Sequence, residues 1–189
     1  TPAKIILVTS TVQGEGKSTT ALNLGAALGK MEKTLIIGGD LRRPSLAREC
    51  KLAANHQGLS HFVSGTAKLE ECIEYLSDMH VHVMPAGIIP PNPLEMLSSK
   101  KFVSSLQFLK ERYQRIIIDS APIQAVSDAL VLASYADSVI YVVSADSTSA
   151  TLARRGISSM TNSGANITGV VLNKFDSRKA GKYYQLDGY

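Results

Sequence analysis

Apolar positions along this chain come in short unbroken runs rather than in alternation. Aliphatic and β-branched residues fill 4–10, 34–38, 81–84, 115–119, 138–144 and 167–172. Unbroken runs of this length predict strands covered on both faces. Between them, apolar residues recur at helical spacing over 18–31, 69–76, 93–113, 127–135 and 149–163, with a break expected near Ser98. Strand and helix taking turns predict an α/β fold, a three-layer domain whose mainly parallel central sheet is flanked by helices. Ligands of such sheets sit beyond the carboxyl ends of the strands. The residues that follow each apolar run are therefore the ones to read for chemistry.

Composition narrows the picture without changing it. A chain of 189 residues, 44% apolar and 19% charged, is long enough for one well-cored domain and too apolar for disorder. The reading is a single domain over 1–175 and a flexible tail over 176–189. No apolar run approaches the ~18 residues of a membrane span. The net charge of +4 raises nucleic acid as a partner, but the basic residues fall as scattered pairs such as Arg42-Arg43 and Arg154-Arg155. With no Trp and four Phe, base-stacking material is scarce, and nucleic acid is not expected. Two cysteines, Cys50 and Cys72, make no disulfide framework, which fits a reducing cytoplasm.

The first run ends in Thr11-Val12-Gln13-Gly14-Glu15-Gly16-Lys17-Ser18-Thr19 and a small-residue helix follows. Gly14 and Gly16 let successive backbone N–H groups converge on phosphate oxygens. The helix starting near Ser18 aims its positive end at the same point. Lys17 reaches the outer phosphates and the Ser18 hydroxyl ligates Mg²⁺. The general pattern has glycine at position 11, where Thr11 stands. The expected ligands are a nucleoside triphosphate, ATP, and Mg²⁺, held on Gly14, Glu15, Gly16, Lys17, Ser18 and Thr19.

Such a loop needs carboxylates to place the metal. Asp119 closes the run Ile116-Ile117-Ile118, and Asp40 follows Leu35-Ile36-Ile37-Gly38-Gly39. A lone Asp after a strand is ordinarily a turn former; two of them at strand tips beside a phosphate loop read as metal groups with Ser18.

At this point the chain resembles the bacterial tyrosine kinases of exopolysaccharide and capsule synthesis. The resemblance rests on Gly14–Thr19, on Asp40-Leu41-Arg42-Arg43-Pro44, on Pro90-Pro91-Asn92-Pro93-Leu94-Glu95-Met96-Leu97-Ser98-Ser99, and on Ile117-Ile118-Asp119-Ser120 with Asp128 downstream. The tail Lys182-Tyr183-Tyr184-Gln185-Leu186-Asp187-Gly188-Tyr189 completes it. The resemblance implies an autokinase that moves the ATP γ-phosphoryl group to Tyr183, Tyr184 and Tyr189, with Lys17, Asp40, Arg42 and Asp119 as catalytic groups and Asn173 near the base. It also implies neighbouring copies in a ring, a membrane polysaccharide co-polymerase segment or activator, an opposing tyrosine phosphatase, and a place at the inner face of the membrane. Family members carry a further acid where Gly38 stands, one that helps activate the attacking phenol. The family's Glu-x-x-Arg-x-x-Arg motif is expected before Thr1, the chain reading as a catalytic domain cut from a longer protein.

Two other classes stay open on the sequence. A nucleotide switch resembling the MinD/ParA ATPases shares the fold, but its signature lysine falls at Val12. An ATP-binding regulatory module with weak or no kinase activity follows if Gly38 disables transfer. Asn173-Lys174-Phe175-Asp176 also raises a guanine reader, and a similar run is frequent in the kinase family. Among weaker signals, His80 and His82 are placed on one face of a strand, where a packed or exposed face is expected rather than a metal pair. His56 reads as a loop residue and His61 as a helix-surface one.

Overall fold

The computed structural model describes residues 2–145 and 147–176. Their strands are β1 (Ile5–Ser10), β2 (Thr34–Gly38), β3 (Glu74–Leu76), β4 (Val81–Met84), β5 (Arg115–Asp119), β6 (Ser138–Ser144) and β7 (Ile167–Asn173). They form one sheet in the order β3-β4-β2-β5-β1-β6-β7. All neighbours run parallel except β3, which is antiparallel to β4. The helices are α1 (Lys17–Gly29), α2 (Leu46–Glu49), α3 (Leu59–Ser64), α4 (Leu69–Cys72), α5 (Pro93–Leu97), α6 (Lys100–Lys110), α7 (Asp128–Ala133) and α8 (Ala150–Asn162).

The unbroken apolar runs of the central strands have the cause inferred for them, both faces being buried; the run of β7 does not, since at the edge of the sheet it leaves Val170 and Leu172 exposed. Leu35, Ile37, Ile116, Ile118 and Tyr141 pack with Phe102, Leu106, Leu132 and Met160 of the helices on one face. Ile36, Ile117, Val8 and Val142 pack with Ala21 and Leu46, of α1 and α2, on the other. Each fully buried aliphatic side chain contributes about 1.5–3 kcal/mol, so the three-layer core fixes where the strand tips stand. Asp137 tightens the opposite end by accepting from the Lys4 and Ile5 amides at 2.8 and 2.7 Å.

The segment over 93–113 breaks where expected. Asn92 caps α5 by accepting from the Glu95 amide at 3.2 Å. Ser99 caps α6, accepting from the Phe102 amide at 3.1 Å and donating to the Met96 carbonyl at 2.7 Å.

The single helix expected over 69–76 does not form. It stops at Cys72, and Glu74–Leu76 pair with β4 as an edge strand. A four-residue helix is too short to hold itself, and Tyr75 gains a ring contact with His82 across the pairing. The short helix α2 has no counterpart in the sequence reading, and α3 only the placing of His61 on a helix surface, since each offers only about one turn of periodicity. The placing of His80 is corrected too. It lies before β4 in a left-handed turn at φ 55°, so it shares no strand face with His82. His82 packs between the Tyr75 and Tyr113 rings at 4.9 and 5.4 Å, as a packed-face residue should.

Candidate active site

The tips of β1, β2, β5, β6 and β7 come together at one end of the sheet, and the loop of residues 11–16 lies over them. Gly16 precedes α1 at φ 95°. A side chain there faces two obstacles: the left-handed backbone, and Asn173, whose Nδ2 would touch a Cβ built at position 16. Thr11 stands where the general pattern has glycine, and it does not take a left-handed backbone. It is buried, and its hydroxyl is hydrogen-bonded to the Tyr141 hydroxyl at 3.0 Å. The departure at this position thus anchors the loop to β6.

Glu15 is the loop's internal strut. It is 1% exposed; one carboxylate oxygen accepts from the Val12 amide at 2.7 Å, the other from the Ser144 amide at 3.1 Å and the Thr148 hydroxyl at 2.5 Å. Asn173 Nδ2 donates to the Glu15 carbonyl at 2.8 Å, and Lys174 Nζ to the Gly14 carbonyl at 2.5 Å. The β7 tip therefore clasps the loop backbone. Its amide and ammonium have that work whatever base lies beyond them.

Lys17 and Ser18 open α1 with their backbone N–H groups unpaired by the helix, the arrangement that receives phosphate. Asp119 closes β5 beneath them. It is 3% exposed, and its Oδ1 is buried with no hydrogen-bond partner. Burial pushes its carboxyl up to about 7; the Ser18 hydroxyl and Lys17 hold it down, while Asp40 pushes it further up. A bare carboxylate oxygen at this depth is costly unless a cation meets it. The donor set of Asp119, Ser18 and the nearby Asp40 is all oxygen, as Mg²⁺ requires, so the residues fit the metal.

The backbone brings Asp40 in. The Gly39 and Asp40 amides both donate to the Asp119 carbonyl, at 2.7 and 3.1 Å. Asp40 Oδ1 then accepts from the Arg42 and Arg43 amides at 3.2 and 2.9 Å, fixing the turn. Beside it opens a cleft of about 440 Å³. Ala121, Pro122, Ala125 and Val126 give it apolar walls, and Asp40 and Arg43 give it polar ones. Arg43 Nη1 donates to Gln13 Oε1 at 2.5 Å at the phosphate-loop side.

Arg42, expected among the catalytic groups, directs its guanidinium to Asp128. Nε and Nη2 donate to the two carboxylate oxygens at 2.8 and 3.0 Å. That hydrogen bonding raises the Arg42 pKa above its ordinary value, with burial opposing it. Asp128 is fully buried at the start of α7, so the fork ties the cleft's two walls together. The sequence named Asp128 without giving it this partner. Glu15's partners Ser144 and Thr148 went unread as well; their only signal was a Ser/Thr-rich stretch after a strand.

Gly38 is the first residue before the Gly39-Asp40 turn and pairs with Asp119 in register. A Cβ built there would stand 2.9 Å from the Ala86 amide nitrogen and 3.3 Å from the Pro85 carbonyl carbon. The loop after β4 leaves no room for a larger residue unless its backbone retreats. Tyr183, Tyr184 and Tyr189 lie outside the described residues. Among the described residues no group of three His, Cys, Asp or Glu is clustered to hold a metal by itself, and no helix is long and apolar enough to cross a membrane.

The fold and this loop define a class. Residues 6–186 match the CobQ/CobB/MinD/ParA nucleotide binding domain, and the chain belongs to that family of P-loop proteins. Within it, the chain belongs with the bacterial tyrosine-protein kinases. It is 33% identical over 178 residues to the tyrosine-protein kinase CpsD of Streptococcus agalactiae, covering 94% of this chain and 78% of that one. The crystal structure of the VpsO kinase domain superposes with a TM-score of 0.89 at 41% identity, over 92% of this chain and 86% of that one. The septum site-determining protein MinD of Pyrococcus horikoshii, complexed with Mg-ADP, superposes with a TM-score of 0.76 at 26% identity, over 92% of this chain and 71% of that one. The P-loop α/β fold expected from the sequence is thereby established.

Proposed function

We propose that this chain is an ATP-dependent protein-tyrosine autokinase that phosphorylates Tyr183, Tyr184 and Tyr189 and thereby controls exopolysaccharide or capsule synthesis and export. The observation that carries the reading is the bare, buried Asp119 Oδ1 beside Ser18, Lys17 and Asp40; of these Asp40 lines a cleft whose apolar walls suit a phenol ring. The kinase relatives add support, and the Mg-ADP complex of the MinD neighbour supports a magnesium nucleotide.

Lys17 and the backbone of Gly14, Glu15, Gly16, Ser18 and Thr19 receive the phosphates. Ser18, Asp119 and Asp40 would hold Mg²⁺, which would supply charge neutralisation during phosphoryl transfer. A tyrosine enters the cleft with its ring against Ala121, Pro122 and Val126. Its oxygen bonds to the γ-phosphorus, the bridge to the β-phosphate breaks, ADP leaves, and the phenolic proton passes to Asp40. A phenol with an ordinary pKa near 10 is about one-thousandth ionised at neutral pH, so a positioned base is typically worth ~10²–10⁴. Arg42 acts through Asp128, holding the acceptor cleft's wall against the turn that carries Asp40. Asn173 shapes the loop on the side where the base lies.

The partners follow from the same reading: other copies of this chain, a membrane polysaccharide co-polymerase segment or activator that holds the domain at the inner face of the membrane, and a tyrosine phosphatase. Each phosphate adds about −1.5 to −2 charges, so three erase the net +4 and favour dispersal of assembled copies.

A second reading, an ATP-binding regulatory module, is favoured by one observation: the place of the expected acid at Gly38 is closed by Ala86. Intact mass after incubation with ATP and Mg²⁺, with mapping of the tail peptide, separates the two. Phosphate on the tail tyrosines supports the kinase. ATP bound with no mass gained, in this chain and alongside added membrane activator segments, supports the module.

A further inference from the structure

The four tyrosines among the described residues are not alike. Tyr113 and Tyr141 are buried and Tyr135 is half-buried, whereas Tyr75 is 50% exposed. Tyr75 sits at the middle of β3, the antiparallel strand at the edge of the sheet. A phenol on an exposed edge strand is open to a second protein molecule on the strand's outer side.

What surrounds Tyr75 is rich in nitrogen hydrogen-bond donors. It lines a cleft of about 350 Å³ together with Lys33, Thr34, His80 and His82. Its ring meets that of His82 at 4.9 Å. Lys33 Nζ stands 5.0 Å above the Tyr113 ring and has no carboxylate partner among the described residues. Glu32, the acid in the cleft, is already paired with Arg115 at 2.7 Å. Glu74, the neighbour in sequence, is 3.7 Å from His56 instead. An anion attached to the Tyr75 oxygen would thus find one free ammonium and two imidazoles beside it, and the acid among them neutralised.

Register rules out transfer within one molecule. Tyr75 is level with His82, His82 with Leu35, Leu35 with Ile116, and Ile116 with Ile5. Tyr75 is therefore four strands across from β1, ~19 Å at the usual strand spacing. It also lies level with the start of β1, while the phosphate loop begins past Ser10, ~17 Å further along. No rotamer of Tyr75 spans that diagonal.

We propose that Tyr75 is a phosphorylation site in the body of the domain, modified in trans by a second copy, and that Lys33, His80 and His82 receive the phosphate. The proposal rests on the kinase reading above. The Tyr75 oxygen bonds to the γ-phosphorus of ATP held by the second copy, the bond from that phosphorus to the bridging oxygen breaks, and ADP leaves with the electron pair. The phenolic proton goes to the second copy's Asp40 carboxylate. The dianion formed pairs with Lys33 and accepts hydrogen bonds from the two imidazoles, pinning the β3 edge to the turn before β2.

The test uses the 189-residue chain with ATP and Mg²⁺, followed by tryptic mapping. Residues 69–100 form one tryptic peptide with Tyr75 as its sole tyrosine. The expected result is phosphate on that peptide, absent in Tyr75→Phe, and present on a Lys17→Ala chain when it is mixed with the wild type. Phosphate on the tail peptide but never on 69–100 overturns this proposal and leaves the kinase reading standing; no phosphate anywhere, with the chain alone and with added membrane activator segments, overturns both. For the receiving groups, Lys33→Ala is expected to let an added tyrosine phosphatase clear Tyr75 about two- to fivefold faster, the worth of one exposed ion pair, with clearance of the tail unchanged. Equal rates at Tyr75 overturn the role of Lys33.

Discussion

Two buried carboxylates lie within the same few residues of the phosphate loop and are treated in opposite ways. Glu15, on the loop, has both oxygens satisfied by Val12, Ser144 and Thr148. Asp119, at the tip of β5, is as deeply buried but keeps Oδ1 bare, and burial pushes its carboxyl up to about 7. The loop carboxylate is finished by the protein; the strand-tip carboxylate waits for something the protein does not supply. A satisfied buried acid holds structure, and an unsatisfied one marks the place of a ligand.

The comparison is broken most severely on the ligand side. Lys17→Ala is expected to lower phosphate transfer at least ~10³-fold, because the outer phosphates lose their ammonium where charge develops, while the melting temperature moves by less than about 2 °C. Phosphate incorporation under single-turnover conditions and a thermal melt read the two halves. On the structural side, Glu15→Ala leaves two amides and a hydroxyl without their acceptor. It is expected to cost ~3–5 kcal/mol in denaturant unfolding, as for a broken buried network.

Gly38→Asp comes next. Introducing the acid expected there forces the Ala86 backbone away, a loss of ~1–3 kcal/mol, and transfer is expected to stay unimproved. An increase of tenfold or more in phosphate incorporation by the same assay contradicts the steric reading of that position.

The smallest effect sharpens the picture of Asp119 through pH. A carboxyl raised in the folded state binds a proton there that the unfolded chain has already released. Its contribution is therefore most favourable near pH 4 and is lost as pH rises toward 7. The melting temperature of the nucleotide-free wild type, measured relative to Asp119→Asn, is expected to fall between pH 4 and 7 and to level off above it. A difference that stays flat across that window contradicts the raised carboxyl.

Much of this was legible in the sequence, and the reason lies in length. The unbroken Ile116-Ile117-Ile118 run announced a strand covered on both faces, and the glycines at 14 and 16 announced the phosphate loop, because each signal is local and strong. Asp40 and Asp119 were readable as strand-tip acids for the same reason. The 69–76 segment was misread because its strand half is decided by pairing with β4 and by the His82 ring, neither of which is local. Arg42's partner Asp128 is 86 residues away, and Glu15's partner Thr148 is 133 away. No periodicity carries such pairings. The closure of the Gly38 position by Ala86 is equally invisible in one dimension, since a glycine before a turn reads as flexibility until the neighbouring loop is seen.

The most direct test of the central claim is a paired thermal melt of the wild type and Asp119→Asn, each with and without ATP and Mg²⁺. Removing the buried charge should raise the ligand-free melting temperature of the variant by about 2–4 °C, the shift that ~1 kcal/mol gives a domain of this size. Magnesium should add to the ATP-induced stabilisation of the wild type and add nothing in the variant. If the variant melts no higher without ligand and gains as much from magnesium as the wild type does, Asp119 is not the carboxylate kept bare for the metal, and the site described here is not the one that carries the chemistry.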